Sequence, residues 1–336
     1  MIIELVDHAD HEDAEQLAAL LRSRGGSPHI VRWPGRWLIL ETAQDIDETW
    51  LRQLPIVARV VGSTDPHPLS GRKFQSVSTM IEVAGRWIGD GTFLVIAGPC
   101  AVESREQLAA TAAVVTSAKA SMLRGGAFKP RTSPYSFQGL GVRGLELLAE
   151  ERLRSGLPVV TEAIQPKDVE TVAEYADVVQ VGARNMQNYA LLGEVGRCGR
   201  PVLLKRGLAA TIQEWLLAAE YVMNAGNPQV MLCERGIRTF ETASRFTLDL
   251  AAVPIVKRLS HLPIIVDPSH SAGRAFMVPS LTLAAAAAGA DGVIVDVHND
   301  PASALCDADQ ALSSEEFKST MVDLERVLAV LGRHVA

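Results

Sequence analysis

The stretch from Phe93 to His298 states one theme and repeats it: FLVIAGPC (93–100), MLRGGAF (122–128), PVVTEA (158–163), DVVQVGA (177–183), PVLLKRG (201–207), VMLCERG (230–236), PIIVDPSH (263–270) and GVIVDVH (292–298). Each is a short apolar run of the kind that forms a parallel strand buried on both faces, and each closes on a polar or glycine-containing cluster before an amphipathic helix. Ser104 with Gln107, Thr211 with Glu214 and Ser313 with Glu316 have capping-box spacing and mark three helix starts. Eight such units in about 240 residues is the arithmetic of a (β/α)₈ TIM barrel. A doubly wound sheet would more often use five or six strands.

Ahead of the repeat lies a different pattern. MIIELV reads as a strand, His11 to Ser23 as a helix stopped by Gly25-Gly26, HIVRW and WLILET as strands around Pro34-Gly35, Ile46 to Leu54 as a short helix and VARVVG as a last strand. That β-α-β-β-α-β order predicts a ferredoxin-like α+β domain over residues 1–62. STDPHPLSG opens a linker over 63–78. The catalytic barrel is expected over 79–336, entered through a hairpin that turns at Ala84-Gly85 and ends at a Gly-Asp-Gly loop.

The bulk numbers narrow the function classes. A net charge of −7 argues against a nucleic-acid partner. The most apolar segment, Leu281 to Ala290, is too short to span a bilayer, so no membrane association is expected. The acidic N-terminus lacks a signal-peptide pattern, and the four scattered cysteines (Cys100, Cys198, Cys233, Cys306) read as reduced thiols, together predicting a cytoplasmic enzyme.

Residues at the C-terminal ends of barrel strands meet at one mouth. The eight ends here supply Cys100; Arg124, with Lys129 and Arg131 in the loop; Glu162; Arg184; Lys205 and Arg206; Glu234 and Arg235; Asp267 and His270; and Asp296 and His298. Seven cations gathered in a net acidic protein repel one another unless an anionic ligand fills the site, and guanidinium forks match phosphate and carboxylate. Salt bridges to Glu103, Glu162 or Glu234 account for one or two of the seven in the plainer reading. Cys100, His270, Asp296 and Asp307 form a candidate divalent-metal set, whose thiolate, imidazole and two carboxylates tolerate Mn, Fe, Co or Zn; a buried cysteine next to Gly-Pro is otherwise a small core residue.

IAGPCAVES (96–104), GGAFKPRTSPYSFQGLG (125–141), QVGARNMQN (180–188), LLKRG (203–207), CERG (233–236) and DPSHSAGR (267–274) together resemble the 3-deoxy-D-arabino-heptulosonate 7-phosphate (DAHP) synthases of type I, β subgroup. The resemblance covers the whole chain, with the N-terminal unit similar to the regulatory domain of some members. It implies a transferase that condenses phosphoenolpyruvate with erythrose 4-phosphate, giving DAHP and phosphate at the first step of the shikimate route to aromatic amino acids. It further implies that Arg124, Lys129, Arg184, Lys205 and Arg235, with the amides of Gly182 and Ala183, hold phosphoenolpyruvate. Arg131 and Thr132 would bind the aldose phosphate, and Cys100, His270, Asp296 and Asp307 the metal. Lys129 is then the candidate proton donor and Glu162 the candidate orienter of a water.

One departure stands out: the family usually has Glu where this chain has Asp296, one methylene shorter. His298, two residues on, is either a substitute ligand or, more simply, a hydrogen-bonding neighbour. Cys306 directly precedes Asp307 and, if it lies near Cys100, a disulfide between them would expel the metal. The resemblance also implies an aromatic amino-acid effector, tyrosine or phenylalanine, in a homotetramer, and His29 in the second predicted strand is the candidate contact for it. Three alternatives stay open from the sequence: an octulosonate phosphate synthase, a Schiff-base aldolase using Lys205, and a non-catalytic metabolite-binding protein.

Overall fold

Six elements open the chain: β1 (Ile2–Leu5), α1 (His11–Ser23), β2 (Pro28–Trp33), β3 (Arg36–Glu41), α2 (Glu48–Leu51) and β4 (Val57–Val61). A computed structural model describes residues 1–43, 45–62, 65–89 and 91–336. Ser63 and Thr64 of the predicted linker and Asp90 of the predicted Gly-Asp-Gly loop lie outside the described residues. The four strands pair antiparallel in the order β2-β3-β1-β4, the ferredoxin-like arrangement. Ala14, Leu17, Ala18 and Leu21 of α1 fall at helical spacing, so one apolar stripe packs on Ile3, Leu5 and Ile39 of the sheet. The helix begins at Asp10, whose carboxylate accepts the Asp13 amide in a capping box. The second helix is one turn long, shorter than the span expected for it, and starts at the Asp47 cap.

The hairpin β5 (Ile81–Val83) and β6 (Arg86–Ile88) turns at Ala84 and Gly85, both at positive φ, as a tight two-residue turn requires. The repeat then follows: β7 (Thr92–Gly98), α3 (Arg105–Ser117), β8 (Met122–Arg124), α4 (Val142–Ser155), β9 (Val159–Ala163), α5 (Val169–Tyr175), β10 (Val178–Val181), α6 (Tyr189–Arg197), β11 (Val202–Lys205), α7 (Ile212–Asn224), β12 (Val230–Glu234), α8 (Ala252–Leu259), β13 (Ile264–Val266), α9 (Pro268–Ala272), α10 (Val278–Ala287), β14 (Gly292–Asp296) and α11 (Ser314–Val330). Strands β7 to β14 pair in sequence order, all parallel, and β14 pairs back onto β7 to close the barrel. A short last strand, β15 (His334–Val335), adds to the start of β7.

Alternate residues of each strand face opposite ways, and here both faces are buried. Leu94, Ile96, Met122, Val160, Val178, Leu203, Met231, Ile265 and Ile294 fill the barrel interior with Ile81, Val83 and Ile88 of the hairpin, which therefore plugs its lower end. Phe93, Val95, Val159, Val179, Val202, Leu232 and Val293 point outward onto the helices. With the bottom plugged, the upper end is the open one.

The segment after the small sheet is bolted to the barrel by half-buried Glu220 and buried His261. Glu220 of α7 accepts the Leu69 and Ser70 amides at 3.2 and 2.6 Å, and burial raises its pKa to about 7. His261 lies 2.7 Å from both the Leu69 carbonyl and the Thr79 hydroxyl, and burial lowers its pKa to about 4.

Candidate active site

A cavity of about 280 Å³ opens at the C-terminal ends of the strands. Arg124, Lys129, Arg131, Arg184, Lys205 and Arg235 line it, six of the seven predicted cations, with Thr132, Glu162, Gly182, Ala183, His270, Cys306 and Asp307. Arg206 departs from the expectation. Successive strand residues point to opposite sides, so Lys205 enters the cavity while Arg206 turns away to Glu234 at 2.9 Å and Asp249 at 2.8 Å. The Glu234 carboxylate also takes the Gly236 and Asp249 amides, making it a clasp for the loop after β12.

The candidate metal set converges at the cavity floor. Cys100, His270, Asp296 and Asp307 each bring one ligand atom within 4.8 Å of the others. Register puts Asp296 there, because it pairs with Gly98, and Gly98-Pro99-Cys100 carries the thiol over the same strand end. Gly98 sits at φ +152°, and a Cβ on it would collide with the Arg124 carbonyl, so this close approach of β7 to β8 needs glycine. Asp307 is itself in the left-handed region at φ +53°.

Charge is balanced within this floor. Lys129 Nζ lies 3.0 Å from the Cys100 carbonyl oxygen and 3.1 Å from its sulfur. The Cys306 thiol, 3.7 Å from Cys100 Sγ, then Lys129 and His270, hold the Cys100 thiol well below its ordinary pKa despite full burial. Burial disfavours charge on Lys129, yet the facing sulfurs of Cys100 and Cys306 raise its pKa above the usual lysine value. Cys100 is therefore poised as thiolate and Lys129 as ammonium.

His270 is oriented by Asp267, which caps α9 through the His270 amide at 2.9 Å and faces Nδ1 at 3.1 Å. That leaves Nε2 turned to Asp296 and Asp307, at 3.7 and 3.9 Å. Burial works against the Asp267 charge, but His270 and Lys205, the latter ion-paired with it, hold its carboxyl well below the usual range. A carboxylate behind a ligating imidazole fixes its tautomer. Asp296 forms a buried ion pair with Arg124, and its other oxygen accepts from Gln310 Nε2. The donor set thus fits a divalent cation in chemistry and in convergence.

His298 is absent from that set. It faces Glu103 at 3.5 Å and accepts the Asp300 amide, the hydrogen-bonding role rather than that of substitute ligand. Glu162 is held by Gln180 at 3.1 Å. The first predicted capping box is half formed: Ser104 caps the Gln107 amide, but the Gln107 side chain reaches the Glu103 amide instead of that of Ser104. The other two are complete.

A family model described as the DAHP synthetase I family matches residues 76–329. The chain belongs to that family. A phospho-2-dehydro-3-deoxyheptonate aldolase of Thermotoga maritima is 47% identical over 334 residues, 99% of each chain. A crystal structure of that organism's phospho-2-dehydro-3-deoxyheptonate aldolase (DAHP synthase) superposes with a TM-score of 0.81 at 46% identity, covering 100% of this chain and 99% of that one. More distantly, a 2-dehydro-3-deoxyphosphooctonate aldolase of Syntrophobacter fumaroxidans is 32% identical over 268 residues, 74% of this chain and 92% of that one.

Against the family motifs quoted from the sequence, the site adds residues that those motifs do not single out. Asp267 lies inside DPSH, and its spacing from His270 is the legible sign of a helix cap. Gln310 and Arg245 lie in loops without periodicity, and only the fold brings them to Asp296 and Asp307. Among the described residues no helix is long and apolar enough to cross a membrane.

Proposed function

We infer that this member of the DAHP synthetase I family is a 3-deoxy-7-phosphoheptulonate synthase, condensing phosphoenolpyruvate with erythrose 4-phosphate. The observation that carries this reading is the seven-cation cavity, lined by Arg245 besides the six predicted cations, built directly over the Cys100, His270, Asp296 and Asp307 cluster. Two anionic substrates need such a cavity, and the cluster supplies a place for a divalent cation beside it. The end-to-end match to the Thermotoga enzyme supports the four-carbon aldose over the octulosonate alternative, whose Syntrophobacter relative matches 74% of the chain.

In this reading Arg124, Lys129, Arg184, Lys205 and Arg235 hold the phosphate and carboxylate of phosphoenolpyruvate with the amides of Gly182 and Ala183, and Arg131 and Thr132 hold the aldose phosphate. Arg124, already paired with Asp296, links the two groups of residues. Cys100, His270, Asp296 and Asp307 would hold the cation, which when bound supplies Lewis acidity toward the aldehyde oxygen. Carbon 3 of phosphoenolpyruvate adds to the aldehyde carbon, and Lys129 gives the new alkoxide its proton. Glu162 orients water for carbon 2, and carbon–oxygen cleavage of the resulting hemiketal phosphate releases phosphate. Fixing both substrates in register contributes the larger share, about 7–11 kcal/mol of a barrier at best. Lys205, ion-paired with Asp267, suits anion binding better than Schiff-base formation.

Residues 1–62 are proposed as a regulatory domain, 63–78 as a linker and 79–336 as the catalytic barrel of a cytoplasmic homotetramer. His29, exposed on β2, lines a cleft between the small sheet and α7 together with Glu41, Glu48, Lys73 and Tyr221. An aromatic amino-acid effector contacting His29 is the regulatory reading. Activity unchanged by saturating tyrosine and phenylalanine would remove it.

The function is tested by stripping the protein with chelator and following phosphoenolpyruvate loss by its ultraviolet absorbance. Consumption that requires both erythrose 4-phosphate and restored Mn²⁺ is expected. Consumption with arabinose 5-phosphate instead would assign the octulosonate reaction, and none with any metal would favour a binding protein.

A further inference from the structure

Gln310 is almost fully buried, at 1% exposure, and takes no direct part in the cavity lining. It sits between two charged side chains. Arg245 Nη1 donates to Gln310 Oε1 at 2.9 Å, and Gln310 Nε2 donates to Asp296 Oδ2 at 2.5 Å. The amide can face only one way, because a guanidinium has donors alone and so must meet the carbonyl end. Arg245 Nη1 also reaches Asp307 Oδ1 at 3.3 Å. One arginine thus touches Asp307 directly and Asp296 through Gln310.

The backbone fixes this brace. After β14 the chain loops out through Asp307 and returns, so that Leu312 donates its amide to the Asp296 carbonyl and bridges to Val297. Gln310 lies two residues before that return, and its own amide donates to the Asp307 carbonyl at 3.2 Å. The Asp296 carboxylate has Arg124 on one oxygen and Gln310 on the other. Arg124 draws it toward the cation-lined cavity. Gln310 draws its second oxygen toward His270 Nε2, 3.7 Å away.

We propose that Gln310 is a positioning residue of the metal centre, braced by Arg245, that holds Asp296 Oδ2 toward the atoms of His270, Asp307 and Cys100. A short aspartate has little freedom to find a cation by its own torsions once an arginine pins its other oxygen. A neutral amide donor supplies the aim without competing for the cation, where a lysine or arginine would neutralise the ligand. The inference rests on the metal-centre reading above and specifies which residue outside the ligand set tunes it.

The test measures Mn²⁺ affinity of the metal-free full-length protein by competition with a fluorescent chelator, so turnover is not the readout. Gln310→Met keeps the volume and removes both hydrogen bonds. It is expected to weaken Mn²⁺ binding by about 10- to 100-fold, as loss of a partner behind a metal ligand does. In the Asp296→Asn background the same substitution should change affinity by no more than about twofold, since the two act along one path. Wild-type affinity in Gln310→Met, or the full loss repeated in the Asp296→Asn background, would overturn the proposal. Should Gln310→Met fail to give a cooperative melt, Gln310→Asn, too short to span Arg245 and Asp296, carries the same expectations. His270→Ala separates the two levels: wild-type Mn²⁺ binding in that variant would mean that the metal-centre reading has failed, whatever Gln310 does.

Discussion

The Lys129 ammonium rests on Cys100 twice, 3.0 Å from its carbonyl oxygen and 3.1 Å from its sulfur, so the general-acid candidate and a metal-ligand candidate share one contact. The contact favours the charged form of both partners, because a thiolate stabilises an ammonium buried beside it and the reverse. Any change to Lys129 therefore reaches the cluster as well as the reaction.

Lys129→Met is expected to lower kcat by about 10²- to 10⁴-fold, the usual contribution of a positioned acid. The Cys100 thiol should also move up toward its ordinary pKa, making Mn²⁺ binding more strongly pH-dependent. Steady-state kinetics with a pH series of metal titrations checks both; a kcat near that of the wild type would remove Lys129 as proton donor.

Asp296→Glu should keep or raise metal affinity. The substitution lengthens the ligand arm by one methylene and retains a negative charge for Arg124, whose buried partner cannot be removed without a cost of about 3–5 kcal/mol. Chelator competition reads the result, and complete loss of metal in this variant would sink the assignment of residue 296 as a ligand.

Cys100 and Cys306 bring their sulfurs to 3.7 Å, and Arg131 donates to Cys306 Sγ at 2.8 Å. Peroxide is expected to join them: the Cys100 thiolate and the Cys306 thiol give up one proton and two electrons, one S–S bond forms, and the peroxide leaves as one water and one hydroxide. Wild-type enzyme should lose activity and metal to peroxide and regain both with a dithiol reductant, while Cys306→Ser resists. Equal sensitivity of the two proteins would dismiss the switch.

Glu220 and His261 set opposite pH limits on the segment that joins the small sheet to the barrel. Folded Glu220 keeps its proton up to about pH 7 against an ordinary value of 4.5, so the native state binds more protons and stability falls as pH rises through that window. Folded His261 protonates only near pH 4 against an ordinary 6.5, so stability is lost as pH falls from 6.5 toward 4. Thermal melts should show Glu220→Gln relieving the alkaline loss and His261→Gln the acid one. Unchanged pH slopes in both variants would show that these contacts do not govern the docking.

The eight apolar runs with their polar ends were enough to read the barrel, because a strand buried on both faces must be apolar throughout and the period of strand and helix is local. The same local logic gave the ferredoxin-like order and the hairpin turn at Ala84-Gly85. Six of the cavity's cations were legible too, since position at a strand end is a property of the sequence once the barrel is accepted. What the sequence by itself could not decide was side-chain direction and long-range meeting. Arg206 adjoins Lys205 in sequence, yet the alternation of successive strand residues and the presence of Glu234 and Asp249 take it out of the cavity. His298 follows the same strand as Asp296 and goes to Glu103. Asp307, Gln310 and Arg245 come from loops with no periodic signal, and only closure of β14 onto β7 and the return of the chain at Leu312 bring them to Cys100 and Asp296. Spacing along the chain carries the fold because backbone pairing repeats; the metal centre is made of single contacts across the barrel, and those exist only once it has closed.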